Sequence, residues 1–172
     1  LKNCLDSVYE KFDFEFEVIV VNNSPNENLD EFKKLYGNIK ILNNSNRGYS
    51  QANNFGVQNS SGEILLFLNA DTKIETAPGD DLFELLDKPS TGAVGLKLFN
   101  KDGTFQLSFW KENNFFNEIR NKNEEKEFAK RNAIAMGLKE TEYSGISEAD
   151  WVTGAALAVR KNVFVNAGGF DE

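Results

Sequence analysis

The clearest candidate for chemistry in this sequence is a carboxylate at the end of an apolar run. Residues 64–68 read Ile-Leu-Leu-Phe-Leu, and Asn69, Ala70 and Asp71 follow directly. Such a run is typical of a buried strand, so the polar residues would lie at its carboxyl end. An aspartate there is well placed to hold Mg²⁺ or Mn²⁺ through oxygen while a diphosphate supplies further ligands. An aspartate that caps Thr72 or the following turn is the alternative, and on this motif alone it is slightly the better interpretation.

A second polar cluster follows an earlier strand-like run. Residues 16–21 read Phe-Glu-Val-Ile-Val-Val, and Asn22, Asn23 and Ser24 end the run. Ligands in open α/β sheets bind beyond the carboxyl ends of the strands. We therefore expect this cluster and Asp71 to lie at the same edge of the sheet.

An amide-rich segment leads into a predicted helix. Residues 43–54 read Asn-Asn-Ser-Asn-Arg-Gly-Tyr-Ser-Gln-Ala-Asn-Asn, and helical spacing begins at Tyr49. A helix N-terminus offers unpaired N–H groups to an anion, and Gly48 permits close approach of the backbone. The alternative is an asparagine-rich loop with an ordinary helix cap, and this segment alone is weak evidence for a binding site.

Two later segments complete the candidates. Residues 150–156 read Asp-Trp-Val-Thr-Gly-Ala-Ala, and a glycine such as Gly154 inside a strand often marks close approach of a ligand or another backbone. Trp151 could stack on a sugar, although a core aromatic is the better interpretation of that residue. Residues 168–172, Gly-Gly-Phe-Asp-Glu, are compatible with only a helix stop and a polar tail.

The rest of the sequence supplies the elements that must position these residues. Apolar spacing and apolar runs predict helices over residues 1–12, 29–36, 49–60, 80–86 and 161–166, and strands over 16–21, 39–42, 64–68, 93–99 and 151–159. Gly62 is expected to close the third helix, Asp102-Gly103 to form a hairpin with residues 104–109 returning, and residues 114–138 to form a long charged helix or a pair of helices. This alternation predicts an α/β protein with a doubly wound, mostly parallel central sheet that becomes mixed farther along the chain. The length of 172 residues fits a single domain over 1–172.

Composition narrows the class of function. The formal net charge of −8 argues against nucleic acid as a partner, because phosphate backbones require a basic surface. An acidic protein that binds an anionic nucleotide needs local positive charge, which a carboxylate-bound divalent cation supplies. The absence of histidine excludes histidine-based triads. The single cysteine, Cys4, fits a reducing, cytoplasmic compartment, and no run in the sequence is long and apolar enough to span a bilayer.

Six segments carry a family resemblance when they are taken in order. They are FEVIVVNNS, NRGYSQANNFG, GEILLFLNADT, AVGLKLFNKDG, DWVTGAALAVRK and GGFDE. Each alone is weakly specific, but all six in this order are hard to obtain by chance. Together they resemble the family 2 glycosyltransferases with the GT-A fold, a Rossmann-like sandwich, and within them the bacterial rhamnosyltransferase-like branch. The resemblance covers nearly the whole chain and is least characteristic over residues 112–145.

The resemblance implies an activity and a set of site residues. The activity is inverting transfer of a sugar from a nucleotide diphosphate donor, of the dTDP-rhamnose or UDP-sugar class, to a saccharide or lipid-linked acceptor in cell-surface polysaccharide biosynthesis. It implies a cytoplasmic location, including the inner face of the membrane, and Mg²⁺ or Mn²⁺ at Asp71. The residues implied to bind the nucleotide are Asn22, Ser24, Asn46, Gly48, Asn53, Asn69 and Asp71. Those implied to lie near the donor sugar or acceptor are Trp151, Gly154, Ala155 and Asp171.

The sequence departs from the family in several places. The family's first strand is central in the sheet and precedes the helix that starts at Leu1, so its absence should expose strand edges and apolar surface. The residue after FEVIVV is usually an aspartate, and here Asn22 offers a different donor pattern to the base. Asn69 replaces the first acid of the DxD-type motif and can only hydrogen-bond, as is common in this branch. The family's catalytic base belongs to a Glu-Asp pair shortly after GGFDE and is therefore expected beyond Glu172.

In the implied reaction, a carboxylate removes the proton of an acceptor hydroxyl. The oxygen then attacks the anomeric carbon opposite the nucleoside diphosphate, while the metal at Asp71 neutralises charge on the departing phosphate. Asp150 and Asp171 are candidate bases only if the Glu-Asp pair is not used.

Other interpretations remain open from the sequence. A non-catalytic nucleotide-sugar-binding fragment is favoured by Asn22 and the missing ends. A phosphoacceptor or flavodoxin-like module fits the Asn-Ala-Asp tip poorly, and a nucleotidyltransferase would need a glycine-rich basic loop after its first strand. An exposed sheet edge could be covered by a homodimer. The sequence does not specify the donor sugar, the base, the acceptor or the linkage.

Overall fold

The computed structural model describes residues 1–24, 26–110 and 144–172, together with residues 122, 123, 126, 130, 134, 137, 140 and 141. Within them, the helices are α1 (Lys2–Lys11), α2 (Asp30–Leu35), α3 (Tyr49–Gln58), α4 (Asp80–Asp87) and α5 (Lys161–Asn166). The strands are β1 (Val18–Asn22), β2 (Ile39–Asn43), β3 (Ile64–Leu68), β4 (Val94–Gly95), β5 (Leu98–Phe99), β6 (Phe105–Gln106), β7 (Phe109–Trp110), β8 (Trp151–Val152) and β9 (Ala156–Arg160). No helix in this part of the chain combines the length and the apolar character needed to cross a membrane.

The α/β class is confirmed, but the strand pairing differs from the expected mostly parallel sheet. Of the ladders among the described residues, β1–β2 is parallel, whereas β3–β9, β4–β9, β5–β6 and β7–β8 are antiparallel. The antiparallel pairs arise because β9 returns alongside β3 and lies between β3 and β4. β1 and β3 begin close to one another, since the Glu17 carboxylate before β1 accepts hydrogen bonds from Ser61 and Gly62 before β3.

The β1–β2 pair is covered by helices on both faces. On one face, Leu5 of α1, Phe32 of α2 and Tyr36 directly after α2 form a buried cluster against alternate residues of both strands. On the other face, α3 packs so closely that a Cβ on Gly56 would lie 3.3 Å from Val21 Cγ2. This two-sided packing is the sandwich predicted from alternating strands and helices.

A second core surrounds β3 and β9. Leu65 and Phe67 of β3 pack with Val57 of α3 and Phe164 of α5. The opposite face of β9 presents Ala158, which is fully buried, to the apolar side of α4. Burial on both faces fixes the direction in which β3 leaves the core, and therefore where the residues that follow it emerge.

A groove of about 650 Å³ separates β1 from β3. It is lined mainly by apolar side chains, including Val8, Val20, Ala52 and Leu66. Among the described strands, β1 pairs only with β2 and β3 only with β9, so each leaves one edge open toward the groove. At the carboxyl ends of the strands, polar residues including Asn23 and Asn69 line the groove.

Most predicted elements are confirmed, and the exceptions have physical causes. The predicted strand over 151–159 is divided because residues 153–155 change partners: the Thr153 N–H donates to Ser108 O, whereas Ala155 O accepts from Asn69 N–H. The predicted strand over 93–99 likewise forms two short strands, β4 and β5.

Turns and helix ends follow the sequence except at one glycine. The hairpin at Gly103 (φ +80°) is confirmed, but only Phe105 and Gln106 of the predicted return over 104–109 pair with β5, and Phe109 pairs with β8 instead. The helix stop at Gly168 and Gly169 (φ +93° and +79°) is confirmed. Gly62 does not close α3, which ends at Gln58, and its N–H donates to Glu17 instead. The predicted helix over residues 114–138 lies largely outside the described residues.

Candidate active site at the carboxyl end of the third strand

Asp71 lies in the turn that ends β3. The turn is closed by Thr72, whose N–H and hydroxyl donate to the Asn69 carbonyl at 3.0 and 2.7 Å. The Asp71 side chain is exposed and makes no hydrogen bond or salt bridge within the described part of the chain. The capping role considered from the sequence is therefore carried by Thr72, and the Asp71 carboxylate faces solvent.

The second contributor is the loop that enters α3. Gly48 has a φ of +96° and precedes the first residue of the helix, and a Cβ there would meet nothing within 4 Å. The glycine is therefore required for its backbone conformation, and the space beside it is open. Asn46 Oδ1 accepts from Gly48 N–H at 3.3 Å, and Asn53 Nδ2 donates to Tyr49 O at 2.9 Å. The exposed Arg47 adds a positive charge to this loop.

The third contributor is the segment that joins β8 to β9. Asn69 N–H donates to Ala155 O at 3.0 Å, and the Tyr49 hydroxyl donates to Gly154 O at 2.7 Å. A Cβ on Gly154 would lie 2.6 Å from the Tyr49 hydroxyl oxygen. The sequence predicted close approach of a ligand or another backbone at Gly154, whereas in the structure the group that approaches this residue is the Tyr49 side chain. Partial burial raises the pKa of Tyr49 above its ordinary value of 10.0.

The C-terminal residues are tied to α3 by one side chain. Asn54 Nδ2 donates to Phe170 O at 2.8 Å, and Asn54 Oδ1 accepts from Phe170 N–H at 3.0 Å. The same amide nitrogen donates to Glu172 Oε1 at 3.0 Å. This arrangement places the exposed Asp171 beside the helix that borders the site.

Asn22 differs from the other proposed nucleotide contacts because it is buried. It is 5% exposed; its amide nitrogen donates to Glu27 O at 2.9 Å and Asn43 Oδ1 at 3.3 Å, and its oxygen accepts from Ser24 N–H at 2.9 Å. Both ends of the amide are therefore used inside the protein. Ser24 is exposed, and the neighbouring Asn23 lines the groove.

Trp151 is exposed, contrary to the core interpretation favoured from the sequence. It is 45% exposed and stacks on Trp110, with ring centroids 4.1 Å apart. The two residues are cross-strand partners in β7 and β8, whereas the adjacent Val152 faces the core. Asp150 is exposed and lies on the side of Trp151 away from Gly154.

The structure thus joins four of the predicted groups. The turn at Asp71, the loop at Gly48, the Gly154–Ala155 backbone and the segment containing Asp171 are connected by direct hydrogen bonds or by α3. Asn22, Trp151 and Asp150 do not share these bonds. Sequence reasoning missed the structural roles of Tyr49 and Asn54, although both lie in the amide-rich segment that it singled out.

The donor chemistry around Asp71 is compatible with a divalent cation held largely by substrate. No cluster of three or more acidic or cysteine ligands occurs among the described residues. Asp71 offers one carboxylate, so a bound ion would take its remaining ligands from phosphate oxygens and water. Mg²⁺ commonly binds in this way, with one or two carboxylates beside substrate phosphates.

The chain is similar in sequence to several known proteins. The chain is 29% identical over 140 residues to the O-antigen biosynthesis protein RfbC of Myxococcus xanthus, covering 72% of this chain and 9% of that protein. It is 33% identical over 100 residues to the glycosyltransferase GlyA of Streptococcus pneumoniae, covering 55% and 14%. It is 31% identical over 114 residues to an uncharacterised glycosyltransferase of Rickettsia bellii, covering 64% and 13%. The chain therefore spans only a small part of each relative. The family described as "Glycosyl transferase family 2" matches residues 1–140, and the chain belongs to that family.

Proposed function

We propose that this chain forms the donor-binding part of a glycosyltransferase. The transfer would move a sugar, with inversion, from a nucleotide diphosphate to a saccharide or lipid-linked acceptor in cell-surface polysaccharide synthesis. The observation that carries the proposal is the junction around Asp71. The bonds from Asn69 to Ala155 (3.0 Å) and from Tyr49 to Gly154 (2.7 Å) join three polar segments at the carboxyl end of β3. Ligands in α/β sheets bind at this end.

The nucleotide would lie between the Asp71 turn and the start of α3. The open space beside Gly48 and the N–H groups of the first turn of a 10-residue helix suit a phosphate. Asn46, Asn53 and Asn69 would line it. Because the chain carries a net charge of −8, an anionic ligand requires compensation. A divalent cation, Mg²⁺ or Mn²⁺, bound at Asp71 would supply it and stabilise the charge of the departing diphosphate.

The acceptor would lie on the side of Gly154 and Ala155. The exposed indole of Trp151 offers a flat apolar surface on which a sugar ring can stack. Asp171 would contact acceptor hydroxyls from the segment that Asn54 holds. A carboxylate must remove the acceptor proton, and we assign this role to the acidic pair that the family places after GGFDE rather than to Asp150 or Asp171.

The proposal also includes a donor class, a cellular location and an oligomeric state. The donor we propose is of the dTDP-rhamnose or UDP-sugar class, which rests on the resemblance of the six sequence segments alone. A lipid-linked acceptor would place the protein at the cytoplasmic face of the membrane. The open edges of β1 and β3 favour a homodimer that covers them. Light scattering checks the dimer directly, because a monomer at high protein concentration contradicts it.

Calorimetric titration of UDP and dTDP tests the donor site. We expect binding that requires Mn²⁺ and weakens about 100-fold in Asp71→Ala, which corresponds to roughly 2.7 kcal/mol. Asp87→Ala removes the same charge from the exposed end of α4 and should bind like the wild type. Binding that ignores Mn²⁺ and Asp71 would contradict the proposal. If the wild type binds neither nucleotide, the titration is repeated on a longer form that is extended at both ends. Absence of binding to that form as well overturns the proposed function.

Binding without transfer is the second candidate function. It is favoured by the buried Asn22, whose amide is used internally, and by the single carboxylate of the Asp71 turn. Nucleotide-sugar binding with neither transfer nor hydrolysis, measured on the same longer form, would select it.

A further inference from the structure

A buried hydroxyl on α1 is bonded to the loop that carries Asp71. Ser7 is 2% exposed, and its oxygen accepts a hydrogen bond from the Ile74 N–H at 2.9 Å. The same hydroxyl donates to Cys4 O one turn earlier in the helix, at 2.8 Å. Its hydrogen is thus committed to the helix, and its oxygen is left to accept from Ile74.

A second contact joins α1 to the same loop. Cys4 Sγ lies 3.7 Å from Thr72 Oγ1. Because the Thr72 hydroxyl already donates to Asn69 O, the Cys4 thiol is the donor in this contact. Cys4 is 5% exposed and Ile74 is 8% exposed, so these bonds are shielded from water. A buried N–H that lost its acceptor would be costly.

The loop is therefore held on both sides of Asp71. Before Asp71, Asn69 N–H bonds to Ala155 O. After it, Thr72 closes the turn and Ile74 is bonded to Ser7. Fixing the flanking backbone lowers the number of positions open to the exposed carboxylate. A ligand that needs the carboxylate in one place then has less conformational freedom to remove on binding.

We propose that Ser7 is a positioning residue for Asp71, with Cys4 in support. Nothing in the sequence pattern marks either residue, since both lie on the buried face of an amphipathic helix. The inference rests on the proposed function in one respect, because it assumes that Asp71 binds the metal–nucleotide complex. The structural part, that Ser7 holds the loop, stands on the contacts alone.

Ser7→Ala tests the proposal because it removes only the hydroxyl. The matched control is Ser60→Ala, since Ser60 also donates to a carbonyl three residues earlier, Val57 O, at 2.8 Å. Hydrogen exchange followed by NMR should show the Ile74 amide exchanging at least about 10-fold faster in Ser7→Ala. The β3 amides should change less, and Ser60→Ala should leave Ile74 unchanged. Ser7→Thr keeps the hydroxyl and should restore much of the protection.

The second readout is the dissociation constant of the Mn²⁺–nucleotide complex. We expect Ser7→Ala to weaken it about 5-fold, with Ser60→Ala close to the wild type. If Ser7→Ala does not fold, Thr72→Val loosens the same loop from the other side and should shift both readouts in the same direction.

Each outcome has a distinct meaning. Unchanged exchange at Ile74 overturns the proposal whether or not nucleotide binds. The positioning role is also overturned if Ile74 exchanges faster in Ser7→Ala while the dissociation constant stays unchanged, in a protein whose binding Asp71→Ala does weaken. That result would show that Ser7 holds the loop but that nucleotide binding does not depend on it. Absence of binding in the wild type and in the longer form counts against the proposed function, while the exchange data still decide whether Ser7 holds the loop.

Discussion

β1 and β3 begin close to one another and both end in polar residues, yet the two ends are built differently. Asn22 is 5% exposed and uses both ends of its amide on Glu27, Asn43 and Ser24. Asp71 is exposed and makes no hydrogen bond or salt bridge within the described residues. A polar residue at a strand end is therefore not by itself evidence for a ligand site.

The loops that follow the two strands explain the contrast. After β1 the chain folds back, with Glu27 N–H donating to Ser24 O at 2.8 Å, and this turn encloses the Asn22 amide. After β3 the backbone of Asn69 and the hydroxyl of Thr72 satisfy one another, so the turn closes without Asp71. The loop after β1 uses the Asn22 side chain in its own hydrogen bonds, and the loop after β3 leaves the Asp71 side chain exposed to solvent.

The largest effect should come from removing the buried amide. Asn22→Ala leaves Ser24 N–H, Glu27 O and Asn43 Oδ1 without this partner, and we expect a loss of about 3 kcal/mol in the free energy of unfolding. Asp71→Ala should change it by less than about 0.5 kcal/mol, because the side chain is exposed. Urea denaturation of both variants measures the difference. Equal losses would break the comparison between the two strand ends.

Asn22→Asp sharpens the same comparison at constant side-chain size. A carboxylate cannot donate to Glu27 O or Asn43 Oδ1, which lie 2.9 and 3.3 Å from the amide nitrogen. We expect this variant to be destabilised at pH 7, because two hydrogen bonds of the buried amide are lost. An Asn22→Asp protein as stable as the wild type would show that the hydrogen bonds donated by the Asn22 amide do not stabilise the end of β1.

A smaller loss of stability is expected at the contact between Tyr49 and Gly154, beside the end of β3. Gly154→Ala would place a Cβ 2.6 Å from the Tyr49 hydroxyl oxygen, and we expect a loss of about 2 kcal/mol by overpacking. Tyr49→Phe in the same chain removes that oxygen and should recover part of the loss. Additive losses in the double variant would contradict direct packing of Tyr49 on Gly154.

The smallest effect concerns the amino ends of the same two strands. Burial acts to raise the pKa of the Glu17 carboxyl, but hydrogen bonds from Ser61 and Gly62 hold it below its ordinary value of 4.5. A lowered folded-state pKa stabilises the protein above 4.5, and this stabilisation is lost as the pH falls through the folded-state value. Glu17→Gln should therefore cost no more than about 1 kcal/mol at pH 7. In acid unfolding titrations, the difference from wild type should shrink below pH 4.5, and a constant difference would contradict the assignment.

Local pattern was sufficient to predict the elements and the Asp71 turn. The apolar run over 64–68 is β3 as predicted, and α5 has its predicted bounds. Predictions that depended on distant partners were less accurate. The break between β8 and β9, the true role of Gly62 and the burial of Asn22 each depend on residues far away in sequence or on how a loop folds back. Apolar periodicity carries no information about them.

The sequence by itself determined the α/β class, the family and the location of Asp71 at the end of a buried strand, because all three follow from local order and spacing. Only the tertiary structure decided which polar residues remain available. Asn22 and Asp71 look alike as strand-end residues, and Trp151 looks like a core residue. Their exposure was set by the loop after β1, the bonds around Asn69 and the partner strand β7. Whether a polar group is satisfied depends on atoms that only folding brings within hydrogen-bond distance.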